Sequence, residues 1–185
     1  KKVLITGNTG FKGSWLSLWM YYYGAKALGI SNGYPSNPSS FKILNLQKKI
    51  QNINIDVRDQ KKLKKKILSF QPDFIFHLAA EAIVKKAYKE PKEAWETNTF
   101  GTINILEALK QLRKKTVVVM ITSDKVYKNL EIERGYNEND VLGGYDPYSA
   151  SKAAADLAIQ SYIKSVFYKF KNIKISIARA GNVIG

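Results

Sequence analysis

The chain contains no cysteine and only one histidine, His77, among its 185 residues. It therefore forms no disulfide and no thiolate zinc site, and redox chemistry through thiols is excluded. Apolar runs such as Val117–Ile121 are far too short to span a bilayer, and the N-terminus leads directly into a strand with no signal-peptide pattern. We expect a soluble cytoplasmic protein whose length suits a single core.

Acidic residues are also scarce: 15 stand against 30 basic ones, which gives a net charge of +15. Such an excess can mark a nucleic-acid binder, because lysine and arginine neutralise phosphates. The lysines between positions 61 and 66, however, surround Leu63 and Ile67 at helical spacing. They are typical of the solvated face of an amphipathic helix, and no aromatic platform interleaves them. Nucleic-acid binding is therefore disfavoured.

Short apolar runs alternate with longer helical patterns along the chain. This alternation favours an α/β fold with a doubly wound parallel sheet of at least six strands and helices on both faces, the architecture that the NAD(P)-binding Rossmann fold also has. The predicted strands are Val3–Thr6, Ala25–Ile30, Ile53–Ile55, Phe74–Leu78, Thr116–Thr122 and Ile173–Ala178. The predicted helices are Phe11–Tyr23, Gln60–Phe70, Lys92–Leu112 and Tyr148–Phe170. The predicted loops are Ser31–Ser40 and Asn129–Asp146, and the second is long enough to suggest a functional segment.

The first predicted strand runs into a glycine-rich turn. In a dinucleotide-binding turn the first glycine permits the tight bend, the second lets the backbone approach the pyrophosphate, and the third lets the helix pack on the strand. A phosphate-loop NTPase is disfavoured because no Gly-Lys-Ser/Thr follows, and the alternative is a similar turn in an unrelated α/β protein. The cofactor-binding residues predicted here are Gly7, Thr9, Gly10, Phe11, Lys12 and Gly13.

The adenosine end of the predicted cofactor site departs from the usual pattern. A carboxylate at the end of the second strand normally binds the ribose of NAD, but here the chain has Ser31 and Asn32. The choice between NAD and NADP thus stays open, with NAD favoured. Asp56, with the backbone of Val57, is better placed for the adenine. The alternative for Asp56 is a helix cap.

The fourth predicted strand ends in small residues. Ala79 and Ala80 would let the cofactor pass close to the backbone. His77, just before them, is interpreted as a half-buried strand residue rather than a catalytic base or a metal ligand, since there is no second histidine to share a metal. We therefore expect no metal site.

Ser123 directly follows the fifth predicted strand, on the edge of the sheet where doubly wound folds bind ligands. Ser123 can hydrogen-bond a substrate hydroxyl. Asp124 could act as a general acid if burial raises its pKa, and the alternative is a loop carboxylate paired with Lys125.

Tyr148 and Lys152 lie four residues apart in the last predicted helix and therefore share a face. The positive charge of Lys152 can lower the pKa of the Tyr148 phenol toward neutrality, so that it accepts a proton from a sugar hydroxyl. A pair of this kind also arises by chance, and such a tyrosine usually only packs. Its position after a dinucleotide-binding fold favours a redox enzyme.

These residues together resemble the extended short-chain dehydrogenase/reductase family, which includes the NAD-dependent epimerases and dehydratases. The resemblance covers essentially the whole chain and is carried by Gly7-x-x-Gly10-x-x-Gly13, His77–Ala80, Asn98–Thr102 and Tyr148-x-x-x-Lys152. Four further segments are similar to the nucleotide-sugar 4,6-dehydratases within that family. These segments are Thr9–Leu16, Thr122–Lys125, Leu142–Tyr148 and Ala178–Gly185.

The resemblance implies a lyase that uses bound NAD in an internal redox cycle on a nucleotide-activated hexose, with CDP-glucose as the favoured substrate. Tyr148 removes the proton of the 4-hydroxyl as C4 is oxidised, water leaves across C5–C6, and C6 is then reduced. Ser123 and Lys152 support Tyr148 in this scheme, and Asp124 protonates the departing 6-hydroxyl.

The base that removes the C5 hydrogen stays open. Related dTDP-sugar dehydratases carry Asp-Glu where this chain has Asp124-Lys125, and that glutamate is credited as the base. A neutral Lys125 would need a depressed pKa, and a base from elsewhere is equally compatible. The resemblance also implies that Asn98 positions the nicotinamide and that Asn182 contacts the sugar or its phosphates.

The resemblance further implies a homodimer formed through the helices Lys92–Leu112 and Tyr148–Phe170. We expect residues 1–185 to form the dinucleotide-binding domain, with a substrate-binding domain beyond Gly185, and to be inactive alone. A nucleotide-sugar epimerase or reductase and a non-catalytic NAD(P)-sensing protein remain alternatives. Asp124 favours dehydration, because an epimerase needs no acid for a 6-hydroxyl.

Overall fold

The computed structural model describes residues 1–184, in which six parallel strands form one sheet. The strands are β1 Lys2–Thr6, β2 Lys26–Ser31, β3 Gln51–Asn54, β4 Phe74–His77, β5 Thr116–Ile121 and β6 Ile173–Ala178. Their order in the sheet is β3-β2-β1-β4-β5-β6. The predicted doubly wound parallel sheet is therefore confirmed, and Gly185, the last residue of one segment quoted above, lies outside the described residues.

Seven α-helices are described between these strands. They are α1 Phe11–Tyr22, α2 Ser40–Ile43, α3 Gln60–Phe70, α4 Val84–Lys89, α5 Pro91–Trp95, α6 Gly101–Leu109 and α7 Pro147–Ser165. The single helix predicted over Lys92–Leu112 is instead α5 and α6, joined by a π-helical turn at Glu96–Phe100. Neither α2 nor α4 was predicted, because four and six residues are too few to show a helical period.

Successive side chains of a strand point to opposite faces of the sheet, and both faces of this sheet are buried. Leu28 of β2 lies in the larger hydrophobic cluster, which also holds Leu63 of α3 and Ile105 of α6. Its neighbour Ala27 lies in a smaller cluster with Phe41 of α2. Helices therefore cover both faces, and the loops that follow the strands are left to form a site at their carboxyl ends.

In residues 1–184 we find no helix that combines the length and the apolar character needed to cross a membrane.

Candidate functional site

The turn between β1 and α1 depends on two glycines at points of close backbone contact. A Cβ atom added at Gly13 would lie 2.1 Å from the carbonyl oxygen of Gly7, and one at Gly7 would lie 2.8 Å from the amide nitrogen of Ala79. Gly7 also has a φ of +69°. Larger residues are therefore excluded at both positions, which is the packing predicted for the first and third glycines.

The N-terminus of α1 faces this turn. Gly10 is its N-cap, and no side-chain hydrogen bond caps the helix within the described chain. Uncapped amides and the helix dipole together favour an anion at such an end. Lys12 in the first turn is exposed and adds a positive charge. The turn can thus receive a pyrophosphate.

Asp56 follows β3 at the adenosine end of the predicted site. Its carboxylate accepts hydrogen bonds from Nη2 of Arg58 at 2.7 Å and from Nδ2 of Asn32 at 3.1 Å. Burial acts to raise the pKa of Asp56, but the bonds from Arg58 and Asn32 outweigh it and hold this pKa below its usual value. The helix-cap alternative for Asp56 is wrong, because Asp59 caps α3 by accepting a bond from the amide of Lys62. Ser31, by contrast, is buried.

The imidazole of His77 is enclosed between two threonines at the end of β4. Its Nδ1 lies 2.7 Å from Oγ1 of Thr6, and its Nε2 lies 3.1 Å from Oγ1 of Thr102. Burial, with a smaller effect from the charge of Lys152, lowers the pKa of His77 to about 3. The sequence predicted a half-buried residue, but His77 is only 2% exposed, because Thr102 covers it from α6. It is a neutral structural residue.

Asn98, predicted to position the nicotinamide, uses its amide to join two other elements. Its Oδ1 accepts a bond from the amide of Glu81 at 2.8 Å, and its Nδ2 donates to Oγ of Ser151 at 2.9 Å. The side chain is 1% exposed. Asn98 therefore fixes the chain beyond Ala79 and Ala80 against α7. Its partner Ser151 was not among the predicted site residues.

Tyr148 and Lys152 lie at the start of α7. Asp146 caps this helix, with Oδ1 accepting bonds from the amides of Tyr148 and Ser149 at 3.0 Å each. One turn later the buried Lys152 donates from Nζ to the carbonyl oxygen of Ile121 at 3.0 Å. Burial lowers the pKa of Lys152 to about 8, and the charge of Lys12 acts in the same direction. Tyr148 itself is half-buried.

Three residues predicted to act on the substrate meet where β5 ends. Ser123 donates from Oγ to Oδ1 of Asp124 at 3.1 Å, and Oδ2 of Asp124 lies 3.1 Å from Nζ of Lys125. The side chains of Asp124 and Lys125 are 43% and 59% exposed. The burial that a general acid at Asp124 was expected to have is absent from this arrangement, and the predicted alternative, an ion pair with Lys125, is present.

A cavity of about 1230 Å³ opens beside Asp124 and Lys125. Its walls include Tyr127, Tyr145 and Arg179, whereas Tyr148, Lys152 and the glycine turn do not line it. The volume exceeds that of a typical small-ligand pocket and is compatible with an open cleft. Asn182 is exposed. In residues 1–184, no group of three or more histidines, aspartates or glutamates is arranged to hold a metal ion.

Comparison with known proteins shows the family. The family model for GDP-mannose 4,6 dehydratase matches residues 4–181. The chain belongs to this family. The membership confirms the resemblance to the extended short-chain dehydrogenases/reductases that the motifs indicated.

Relatives of this family differ in substrate. CDP-glucose 4,6-dehydratase from Salmonella typhimurium is 44% identical over the whole of this chain and 53% of its own length. The dTDP-D-glucose 4,6-dehydratase from Dictyostelium discoideum is 30% identical over the whole chain and 44% of its length. UDP-glucose 4-epimerase from Thermus thermophilus, solved in complex with NAD, has a TM-score of 0.84 at 27% identity, and the match covers all of this chain and 56% of the epimerase. The chain thus spans about half the length of the relatives it matches.

One buried ion pair near the site was not predicted from the sequence. Arg179 follows β6 and donates from Nε and Nη2 to the two carboxylate oxygens of Asp156, at 2.9 Å each. Asp156 is fully buried in α7. Arg179 was quoted within the Ala178–Gly185 segment but was given no role, because only the fold brings it to a carboxylate 23 residues earlier.

Proposed function

We propose that this chain supplies the NAD-binding and catalytic part of a nucleotide-sugar 4,6-dehydratase, which converts CDP-glucose to CDP-4-keto-6-deoxyglucose. The observation that supports the proposal is the bond from Lys152 to Ile121, which ties the helix that carries Tyr148 to the end of β5, two residues before Ser123. The choice of CDP-glucose is supported by the 44% identity to the Salmonella enzyme.

The residues at the carboxyl edge of the sheet fit a dinucleotide. Gly7 and Gly13 leave no room for a side chain, so the turn stays open to a pyrophosphate at the uncapped start of α1. Asp56 would bind the adenine, with the backbone of Val57 beside it. When bound, NAD would accept a hydride in the oxidation of C4 and return it in the reduction of C6.

The cations near the adenosine end favour NAD over NADP. Arg58, which could otherwise meet a 2′-phosphate, pairs with Asp56 at 2.7 Å. Its Nη1 also lies 3.7 Å from Glu93 and 3.8 Å from Glu96. Because three carboxylates already surround this guanidinium, a phosphate would have to displace them or meet their repulsion.

The chain's own groups would divide the proton transfers among them. Tyr148 would accept the proton of the 4-hydroxyl, with Lys152 stabilising the phenolate and Ser123 orienting the sugar. Asp124 would protonate the leaving 6-hydroxyl only after it gains a proton and leaves its ion pair with Lys125. Lys125 lies in an ion pair with Asp124, and a protonated amine has no free electron pair for the C5 hydrogen. We therefore propose that the C5 base comes from elsewhere.

The test is production of a 4-keto sugar, read by its alkaline absorbance, from CDP-glucose or dTDP-glucose with added NAD or NADP. Since the relatives are about twice as long, we propose that turnover needs sequence beyond Gly185, and the assay therefore uses the full-length protein. We expect product from CDP-glucose with NAD, and none in Tyr148→Phe, which should still bind NAD by calorimetry. Product from dTDP-glucose alone would overturn the substrate assignment, and turnover by residues 1–185 alone would contradict the need for a further domain.

A nucleotide-sugar 4-epimerase is the second candidate, favoured by the likeness to the Thermus enzyme. Asp124 separates the two, because epimerisation removes no 6-hydroxyl. In a dehydratase, Asp124→Asn should still oxidise C4 but lose water slowly. An epimerase would convert CDP-glucose to its 4-epimer at an unchanged rate in that variant.

We also propose that the protein is a homodimer through α5, α6 and α7. Phe100, between α5 and α6, is 58% exposed, and Leu157 of α7 is 54% exposed. Exposed apolar side chains on adjacent helices are typical of a helical interface. Light scattering should give twice the monomer mass for the wild type, and the mass of a single chain for Leu157→Glu. A wild type with the mass of a single chain would refute the proposal.

A further inference from the structure

The side chain of Arg179 connects β6 to two other parts of the fold. Besides its two bonds to Asp156, its Nη1 donates to Oη of Tyr127 at 2.9 Å and to the carbonyl oxygen of Glu138 at 3.3 Å. Its guanidinium also lies 5.0 Å from the ring centre of Tyr127. Tyr127 and Glu138 belong to the β5–α7 loop, residues 122–146. One side chain thus joins this loop to the strand and the last helix.

The carboxylate that holds Arg179 is itself fixed. Asp156 accepts two further bonds, from Oγ1 of Thr122 at 3.0 Å and from Nε2 of Gln160 at 2.8 Å. A buried ion pair offsets the cost of desolvating its charges only when its remaining hydrogen-bonding groups also have partners. Here the carboxylate of Asp156 accepts four bonds, two from Arg179 and one each from Thr122 and Gln160. Thr122 is the residue before Ser123, so the same network reaches the site.

The β5–α7 loop has its own internal order. Tyr127 and Leu142 pair as an antiparallel bridge, and the amide of Gly143 donates to the carbonyl oxygen of Val126 at 2.8 Å. The rings of Tyr127 and Tyr136 stack with centres 5.2 Å apart. Arg179 meets this folded loop at Tyr127 and at Glu138, so it can set the position of the loop as a unit.

We propose that Arg179 is a positioning residue that holds the β5–α7 loop as one wall of the cavity beside Asp124 and Lys125. Arg179, Tyr127 and Glu138 all line that cavity. A guanidinium suits this role because its planar fork can bind a carboxylate with two nitrogens and still donate elsewhere. The identity of the ligand rests on the proposed function, but the position of the loop does not.

Hydrogen exchange of the backbone amides of Lys128 and Gly143 tests the proposal, because both amides donate within the loop, to Val141 and Val126. Tyr127→Phe removes the phenol oxygen that Arg179 contacts and leaves the ring stack and the ion pair with Asp156. We expect exchange at these two amides to accelerate by about tenfold, the effect of losing one hydrogen bond to a charged group. Amides of β1 and β4 should keep their rates. Tyr168→Phe, at a tyrosine that is 65% exposed, is the matched control.

Arg179→Lys gives a second measurement, since it keeps the charge but lacks the fork. In the full-length protein we expect it to raise KM for CDP-glucose several-fold more than it lowers kcat, with the same two amides exchanging faster. Unchanged exchange at Lys128 and Gly143 in both variants would overturn the proposal, and so would equal acceleration across the whole sheet, which indicates a general loss of stability. Faster loop exchange in a protein that makes no 4-keto sugar would refute the proposed function and leave the positioning role supported.

Discussion

Nζ of Lys152 donates a hydrogen bond to the carbonyl oxygen of Ile121 at 3.0 Å, and this bond ties α7 to the carboxyl end of β5. Among the side-chain hydrogen bonds of residues 1–184, none joins Lys152 to Tyr148, although the two are one helical turn apart. The ammonium is buried against a strand end, and the pKa of Lys152 falls to about 8 as a result. The cost of that burial makes the stability of the protein depend on pH.

The first prediction concerns this pH dependence. Below pH 8 Lys152 is charged in both the folded and the unfolded protein, so folding includes the full burial cost. Between pH 8 and its usual pKa of 10.5 the unfolded chain binds more protons, and the free energy of unfolding should rise with pH. The total gain is on the order of 3 kcal/mol, from about 1.36 kcal/mol per pH unit.

Lys152→Met isolates this contribution, because methionine has no titrating group. We expect the variant to have a higher free energy of unfolding than the wild type at pH 7.5, and we expect this difference to shrink as the pH rises to 10. Urea unfolding over this pH range measures both free energies. Parallel pH curves for the two proteins would show that Lys152 titrates normally.

A second prediction concerns acid sensitivity. The pKa of His77 lies near 3 in the folded protein and near 6.5 when unfolded, so the unfolded chain binds the extra proton as pH falls below 6.5. His77 should therefore lower the free energy of unfolding by about 2–3 kcal/mol between pH 6.5 and 4.5. His77→Gln keeps an amide between Thr6 and Thr102 and should lose less stability over this range. Chemical denaturation at both pH values measures the difference, and equal losses in the two proteins would contradict it.

The sequence was sufficient to predict the sheet and the glycine turn, since hydrophobic periodicity and close packing are local in the chain. Gly7 and Gly13, for example, are only six residues apart in the chain and lie in close contact. The sequence could not show which residues that are far apart in the chain contact one another. The Arg179–Asp156 pair, the amide of Asn98 on Ser151 and the enclosure of His77 by Thr102 all depend on how separate elements pack. Sequence spacing therefore placed candidate residues at the carboxyl ends of the strands but could not give their partners.

A third prediction tests the glycine turn. Gly13→Ala would place a Cβ atom 2.1 Å from the carbonyl oxygen of Gly7, and the backbone must shift to admit it. We expect a loss of about 1–3 kcal/mol in unfolding free energy, the usual cost of overpacking. Gly135→Ala is the control, because an added Cβ there meets nothing within 4 Å. Urea denaturation compares the two, and equal stability would show that the turn accommodates the methyl group.

A fourth prediction separates a buried ion pair from an exposed one. Asp156→Ala leaves the guanidinium of Arg179, which is 11% exposed, without its carboxylate, and should cost about 3–5 kcal/mol. Lys92→Ala removes the pair of Lys92 with Glu96, in which the lysine is 89% exposed, and should cost less than about 0.5 kcal/mol. Urea unfolding measures both losses. A cost below about 1 kcal/mol for Asp156→Ala would mean that water replaces the carboxylate.

The last prediction uses two aspartates three residues apart that have different partners. Asp59 accepts a bond from the amide of Lys62 at the start of α3, so Asp59→Ala should lower the free energy of unfolding by about 1 kcal/mol. Asp56 lies beside Arg58 at the proposed adenine position, so Asp56→Ala should instead weaken NAD binding by about tenfold, the loss of one hydrogen bond. Calorimetric titration with NAD and urea unfolding of both variants check the division. If Asp59→Ala weakened NAD binding as much as Asp56→Ala, the effect would come from α3 as a whole, and Asp56 would have no separate role in binding the cofactor.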